Sequence, residues 1–191
     1  MTFLRLLRSS LLITFILLSI SGCKEPVKIP EQTVTELPEV TTDYLFEHRI
    51  IAYAPTFGEK LISTLPYETT TFDETYILYL VAHLPDPNSS VKIKRTKARY
   101  YLWIERTSKG WLDFTQAYSN ELGRFVIIGH NSSIRSGRFY KNYTIDLTLS
   151  QIEQVQKSGL TFLLQNRNAQ SSTIYLPQEY IKAFLLALKK S

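Results

Sequence analysis

Five basic residues in eight positions, Lys92, Lys94, Arg95, Lys97 and Arg99, make the densest charge in the chain, with no acid among them. Ammonium and guanidinium groups at that density suit partners bearing phosphate or carboxylate: lipid headgroups, lipopolysaccharide, acidic peptidoglycan groups or an acidic protein. The same residues also fit the solvated end of a strand, where lysines discourage edge-to-edge pairing. Arg124, Arg135, Arg138 and Lys141 form a looser basic group around the polar stretch 131–137. His48, His83 and His130 are the only histidines, and none has a second ligand type at metal spacing, so no metal and no cofactor is expected. The stretch Gly129-His130-Asn131-Ser132-Ser133 puts serines beside a histidine, but a hydrolase needs the base within reach of the nucleophile, an orienting acid and an oxyanion hole. Adjacency in sequence supplies none of these, and no G-x-S-x-G elbow is present. Asp73, Glu74, Asp86, Asp113, Glu121 and Asp146 are scattered, and nothing marks two of them as a glycosidase pair. The aromatics from Tyr100 to Trp103, together with Trp111 and Phe114, are a candidate binding face on a hairpin, one side of which should be core.

The elements that would position these residues begin with an amino-terminal address. Arg5 and Arg8 precede an apolar run from Leu11 to Leu18, broken only by Thr14. The run is shorter than the ~20 residues a membrane-spanning helix needs, as in a signal peptide. Ile20-Ser21-Gly22-Cys23 follows, and this order resembles the signal and lipobox of bacterial lipoproteins. The resemblance covers residues 1–23 and implies cleavage before Cys23, diacylglycerol on its thiol and a further acyl chain on the new amino terminus. Two or more chains give stable anchoring where one is marginal. Lys24 after the cysteine resembles the pattern sent to the outer membrane. Cys23 is the only cysteine, which excludes a disulfide framework and a thiol nucleophile elsewhere.

Loss of residues 1–22 would lower the formal net charge from +5 to about +3 by removing Arg5 and Arg8, too small an excess for a dedicated nucleic-acid binder. Residues 23–43 hold the lipidated cysteine and a Pro- and Glu-rich tether without an aromatic side chain, unable to bury enough apolar surface to offset ordering entropy. Residues 44–191 read as one β-rich periplasmic domain. With 12 Tyr, 10 Phe and only 7 Gly, the composition favours sheet.

Strands are expected over Phe46–Ala54, Thr75–Leu84 as a buried central strand, Val91–Arg106, Trp111–Tyr118, Arg124–His130 and Arg138–Leu147. In the third, Tyr101, Trp103 and Glu105 face one way and Tyr100, Leu102 and Ile104 the other. Ser108-Lys109-Gly110 should close a hairpin, and residues 131–137 should form a loop. Ser150 with Glu153 reads as a capping box opening a short helix that stops at Gly159. A hairpin over Leu160–Asn166 and Ser172–Leu176 follows, then a helix begun by Pro177 with Ile181, Phe184, Leu185 and Leu188 on one face. Roughly eight strands with helices confined to the last third predict an antiparallel β-sandwich-like α+β domain with one short and one carboxy-terminal amphipathic helix. The order from Tyr143 to Leu188 (strand, short helix, hairpin, proline-started helix) loosely resembles the end of the invasion-associated locus B family of periplasmic proteins. The family's cysteines are missing here, so the likeness implies fold alone.

Together these features lead to an expected function: a lipid-anchored envelope lipoprotein, non-catalytic, that binds or assembles with an envelope protein or an anionic envelope polymer. The competing expectation is a small hydrolase acting on envelope polymers. A hydrolase would show a concave pocket with convergent polar groups of shifted pKa; a docking module would show a flat basic or aromatic patch.

Overall fold

The computed structural model describes residues 40–54, 58–71, 73–86, 89 and 97–191, with only the backbone of 52–54. All belong to the unit Glu39–Ser191. Among these residues the chain runs α1 (Thr42–Glu47), β1 (Ile50–Ala54), β2 (Glu59–Ser63), β3 (Tyr67–Thr71), β4 (Glu74–Pro85), β5 (Arg99–Ser108), β6 (Phe114–Ser119), β7 (Gly123–Val126), β8 (Ile128–Arg135), β9 (Arg138–Leu147), α2 (Leu149–Gln154), β10 (Leu160–Asn166), β11 (Ser171–Leu176) and α3 (Gln178–Lys189). Sheet A has the order β1-β2-β4-β5-β9-β8, with β3 continuing the β2 side of β4; sheet B has the order β11-β10-β6-β7. Every pairing is antiparallel. The fold is thus the β-sandwich-like α+β class that the alternating sequence predicts.

The period-2 pattern decides which side chains meet. In the register of β4, β5 and β9, Leu80, Leu102 and Ile145 form one inward row, and Leu78, Ile104 and Tyr143 the next. All six are at most 1 % exposed. Phe162, Leu164, Ile174 and Leu176 of β10 and β11 are buried with them in a single core, each large side chain contributing about 1.5–3 kcal/mol. α3 adds Tyr180, Ile181, Ala183, Phe184, Leu185 and Ala187 to that core. The expected stripe is therefore widened by Ala183 and Ala187, whose small side chains let neighbouring elements approach.

Several elements differ from expectation for local reasons. The expected first strand begins only at Ile50. Ahead of it, the Thr41 hydroxyl accepts from the Tyr44 amide (3.2 Å) and the Tyr44 and His48 rings stack at 4.2 Å, which favours one helical turn. Phe46 of α1 has Arg49 over its ring at 4.0 Å and Lys190, just past α3, at 4.5 Å. β3, a Thr-rich strand with little apolar content, is additional; Thr64, in the connection from β2 to β3, ties that connection to β4 by pairing its amide and hydroxyl with Leu80 (3.0 and 3.1 Å). β5 spans Arg99–Ser108, and residues 91–96 of the strand expected from Val91 lie outside the described residues. The capping box is Thr148 with Gln151, two residues before the expected pair. Gly159, with φ 83°, does close that segment, and a Cβ there would lie 2.6 Å from the Tyr175 ring.

Two corrections bear on topology. Ser108-Lys109-Gly110 does not close a hairpin: β5 pairs with β4 and β9, whereas β6 pairs with β10 and β7, so residues 109–113 carry the chain between sheets. Residues 131–135 are not loop but the far half of β8, an edge strand exposed on both faces and hence without alternation. Its turn to β9 uses Ser136 (φ 50°) and Gly137 (φ 71°), two left-handed residues that match the twist of a hairpin.

At one end of the sandwich the inward rows turn polar. Tyr76, Arg106 and Lys141 align, and Glu74, Ser108 and Phe139 align beside them. Arg106 is 3 % exposed. Its guanidinium donates to the Glu74 carboxylate and to the carbonyls of Leu112 (2.8 Å) and Gly110 (3.5 Å). Burial works against the charge, but the Glu74 carboxylate more than offsets it and holds the Arg106 pKa above its ordinary value. The Tyr76 hydroxyl donates to the same carboxylate, and burial first, then that bond, push its pKa up.

Removing one partner of a buried ion pair leaves an uncompensated charge and costs about 3–5 kcal/mol. Glu74→Ala should therefore lower the urea midpoint strongly. Asp73→Ala, one residue away, removes an exposed pair with Lys109 and should leave the midpoint unchanged. Equal midpoints for the two variants would show that Arg106 does not depend on Glu74.

Candidate functional site

The outward face of sheet A gathers the side chains best suited to recognition. Pairing across β4, β5, β9 and β8 sets Tyr79, Trp103, Thr144 and Ile128 in one row; Val81, Tyr101 and Asp146 in the next; and His83 beside Arg99 at the end. These are the outward positions of strands whose alternate residues form the core, so the core rows fix their spacing.

Two polar assemblies stiffen this face. His83 Nδ1 lies 2.9 Å from Glu59 Oε2, and its Nε2 lies 2.8 Å from the Tyr101 hydroxyl. Glu59 is 4 % exposed and His83 18 %. Burial raises the Tyr101 pKa, Arg99 opposing and Glu59 and Asp146 adding to the rise. The hydroxyl thus stays protonated beyond the ordinary phenol range. An acid, an imidazole and a hydroxyl in series resemble a nucleophile relay in outline. Here, however, the hydroxyl is a phenol whose ionisation the site disfavours.

The second assembly centres on Trp103. His130 stacks on its indole with centroids 5.2 Å apart and planes inclined by 19°. His130 Nε2 meets Thr144 Oγ1 at 3.0 Å, and the Trp103 N–H donates to Glu105 at 3.2 Å. In the stretch 129–133, where adjacency alone made no Ser/His pair, His130 is engaged with Thr144 and Trp103, while Ser132 and Ser133 border a shallow cavity of about 350 Å³ with Asn131, Arg135, Tyr140 and Asn142.

Of the basic cluster, Lys97 and Arg99 stand exposed at the start of β5; Lys92, Lys94 and Arg95 lie outside the described residues, as does Cys23. The looser group does not converge on one patch. Lys141 pairs with Asp113 (2.7 Å), Arg124 donates to Gln116, and Arg135 and Arg138 face each other across the β8–β9 turn. The expected aromatic face divides likewise. Tyr101 and Trp103 point outward, Phe114 is buried in the core, and Trp111 is 55 % exposed on the other side of β9. Four of the scattered acids are engaged locally: Asp73 with Lys109, Glu74 with Arg106, Asp113 with Lys141, and Glu121 with Ser158 (2.9 Å). Among the described residues no group of three His, Cys, Asp or Glu side chains could hold a metal ion, and no helix is long and apolar enough to cross a membrane.

Sequence reasoning missed the Glu59–His83–Tyr101 series because its members are 24 and 18 residues apart. The available signal was a histidine at an outward position of an otherwise apolar strand. Compared with protein-family models, curated proteins and solved structures, the chain matches none.

Folding holds the Tyr101 pKa above the value of about 10 expected for the unfolded chain. Its contribution to stability is therefore fully present below pH ~10 and lost as the pH rises through the folded-state value. Subtracting the phenolate absorbance titration of Tyr101→Phe from that of the wild type should leave one phenol ionising above pH ~10. A missing phenol that ionises at or below the ordinary value would contradict the buried series.

Proposed function

We propose that the protein is a lipid-anchored component of the bacterial cell envelope that binds rather than catalyses, holding another envelope protein or an anionic envelope polymer near the membrane. The observation that carries this reading is the outward face of sheet A, where Tyr79 pairs with Trp103, His130 of β8 stacks on the Trp103 ring, Tyr101 stands one outward position along β5, and Arg99 stands one further, beyond exposed Lys97 in the chain. Anchored aromatic side chains with basic neighbours are what a recognition surface uses, because rigid rings contribute contact area at little entropic cost and cations steer an acidic partner. An aromatic sheet face of this kind favours docking over a hydrolase acting on envelope polymers, and a phenol held protonated is a poor nucleophile. The charged n-region, short apolar run and Ile20-Ser21-Gly22-Cys23 support anchoring through Cys23, with Lys24 favouring the outer membrane and the domain facing the periplasm.

The test uses the epitope-tagged full chain in a bacterial envelope. Cys23→Ser should leave an unlipidated or unprocessed form in place of the membrane-bound one; a variant still partitioning with the outer membrane like wild type would sink the anchor. In-cell crosslinking should recover one stoichiometric envelope protein or an anionic polymer. Trp103→Ala should weaken that capture by about 30-fold, the effect of losing a central aromatic contact worth ~2 kcal/mol. Undiminished capture by Trp103→Ala together with Arg99→Glu would remove this face from consideration.

A further inference from the structure

On the opposite side of β9 from that face, a cleft of about 480 Å³ lies between the loop that crosses the sheets and the β10–β11 turn. That volume is within the ~300–1,000 Å³ of small-ligand sites. Trp111 forms one wall. More than half exposed, it is nonetheless held: Phe139 meets its ring edge-on at 5.4 Å and Lys141 Nζ lies 5.6 Å from the ring centroid. The loop beneath it is pinned from the core, because the Leu112 carbonyl accepts from Arg106 (2.8 Å) and from the Tyr143 hydroxyl (3.1 Å), and Gly110 accepts from Ser108 (2.7 Å).

The facing wall is a turn whose shape is equally fixed. Asn166 Oδ1 accepts from the amides of Asn168 and Gln170, both at 2.9 Å. Its Nδ2 donates to Gln170 Oε1 at 2.9 Å, and Ala169 takes up φ 61°. Asn166 is spent on this scaffold. The side chains of Arg167 and Asn168 have no intramolecular polar partner among the described residues, and both line the cleft. Asp113 adds an acceptor, its charge offset by Lys141 (2.7 Å), so Arg167 is left as the uncompensated charge.

An anchored indole facing planar amide, carboxylate and guanidinium groups is the chemistry that recognises a pyranose. The C–H face of the sugar packs on the ring, and hydroxyls bond to the side-chain amides and acid. We propose that this cleft is a saccharide subsite, and that Arg167 selects a sugar carrying a carboxylate, which a guanidinium can bind bidentately. Two sources carry that carboxylate, a lactyl ether and a uronate ring. The site stands apart from the docking face and does not rest on it.

The full chain in detergent micelles is titrated with N-acetylmuramic acid, glucuronic acid and the neutral N-acetylglucosamine while the Trp111 indole N–H resonance is followed by NMR. Saturable shifts with at least one acidic sugar, about tenfold tighter than with the neutral one, are expected from one charge-assisted contact. Which acidic sugar binds distinguishes the lactyl from the uronate source. Arg167→Gln should erase the tenfold preference, and Asn168→Ala, distant from the core, should weaken all binding without altering the rest of the spectrum. Absence of a saturable shift with every sugar overturns the subsite, as does binding unaffected by Asn168→Ala. An acidic preference that survives Arg167→Gln overturns the role of Arg167.

Discussion

A guanidinium 3 % exposed on the inward face of a β-sandwich must find hydrogen-bond partners within the protein, because desolvating an unpaired charge costs several kcal/mol. Arg106 finds an acid on the neighbouring strand and carbonyls on the loop that follows its own strand. The second choice is the consequential one. By spending donors on Leu112 and Gly110, Arg106 fixes the path of residues 109–113 at the point where the chain leaves sheet A for sheet B. The course of that loop, the depth of Phe114 in the core and the position of Trp111 all follow from it. A well-packed hydrophobic residue in place of the ion pair is often as stable, so bulk stability alone does not account for an arginine there, whereas a fixed loop does.

The same sheet therefore presents two chemically different sides. On the outward side, the imidazoles of His83 and His130 each join one strand to another, the first through Glu59 and Tyr101 and the second through Thr144 and the Trp103 ring. On the inward side, polar residues appear only where the sandwich ends. Between them, the rows from Leu78 to Ile145 exclude water and set the register that both depend on.

Where one face of a strand is core, the sequence carries the answer plainly. Tyr101, Trp103 and Glu105 separate from Leu102 and Ile104 by alternation alone, and β9, β10, β11 and α3 have nearly their expected bounds for the same reason. Where neither face is core, as in β8, there is no period to read, and 131–135 resembled a loop. The turn at Ser108-Lys109-Gly110 was visible as a turn, but which sheet receives the next strand depends on a bond from Arg106 to a carbonyl, and an arginine in a strand normally signals an outward position. The Glu59–His83–Tyr101 series and the Trp111 cleft were illegible for a related reason: their members meet only once the register and the sheet crossing are set.

The α1–α3 seam joins the first described helix to the last. Phe46 lies between Arg49 and Lys190, while Leu45 of α1 and Ile181 and Phe184 of α3 are buried in the one core that the two sheets share. Separating the helices would uncover apolar surface at a cost of about 25 cal/mol per Å², so the seam is tied through that core to the same rows that set the outward face of β5.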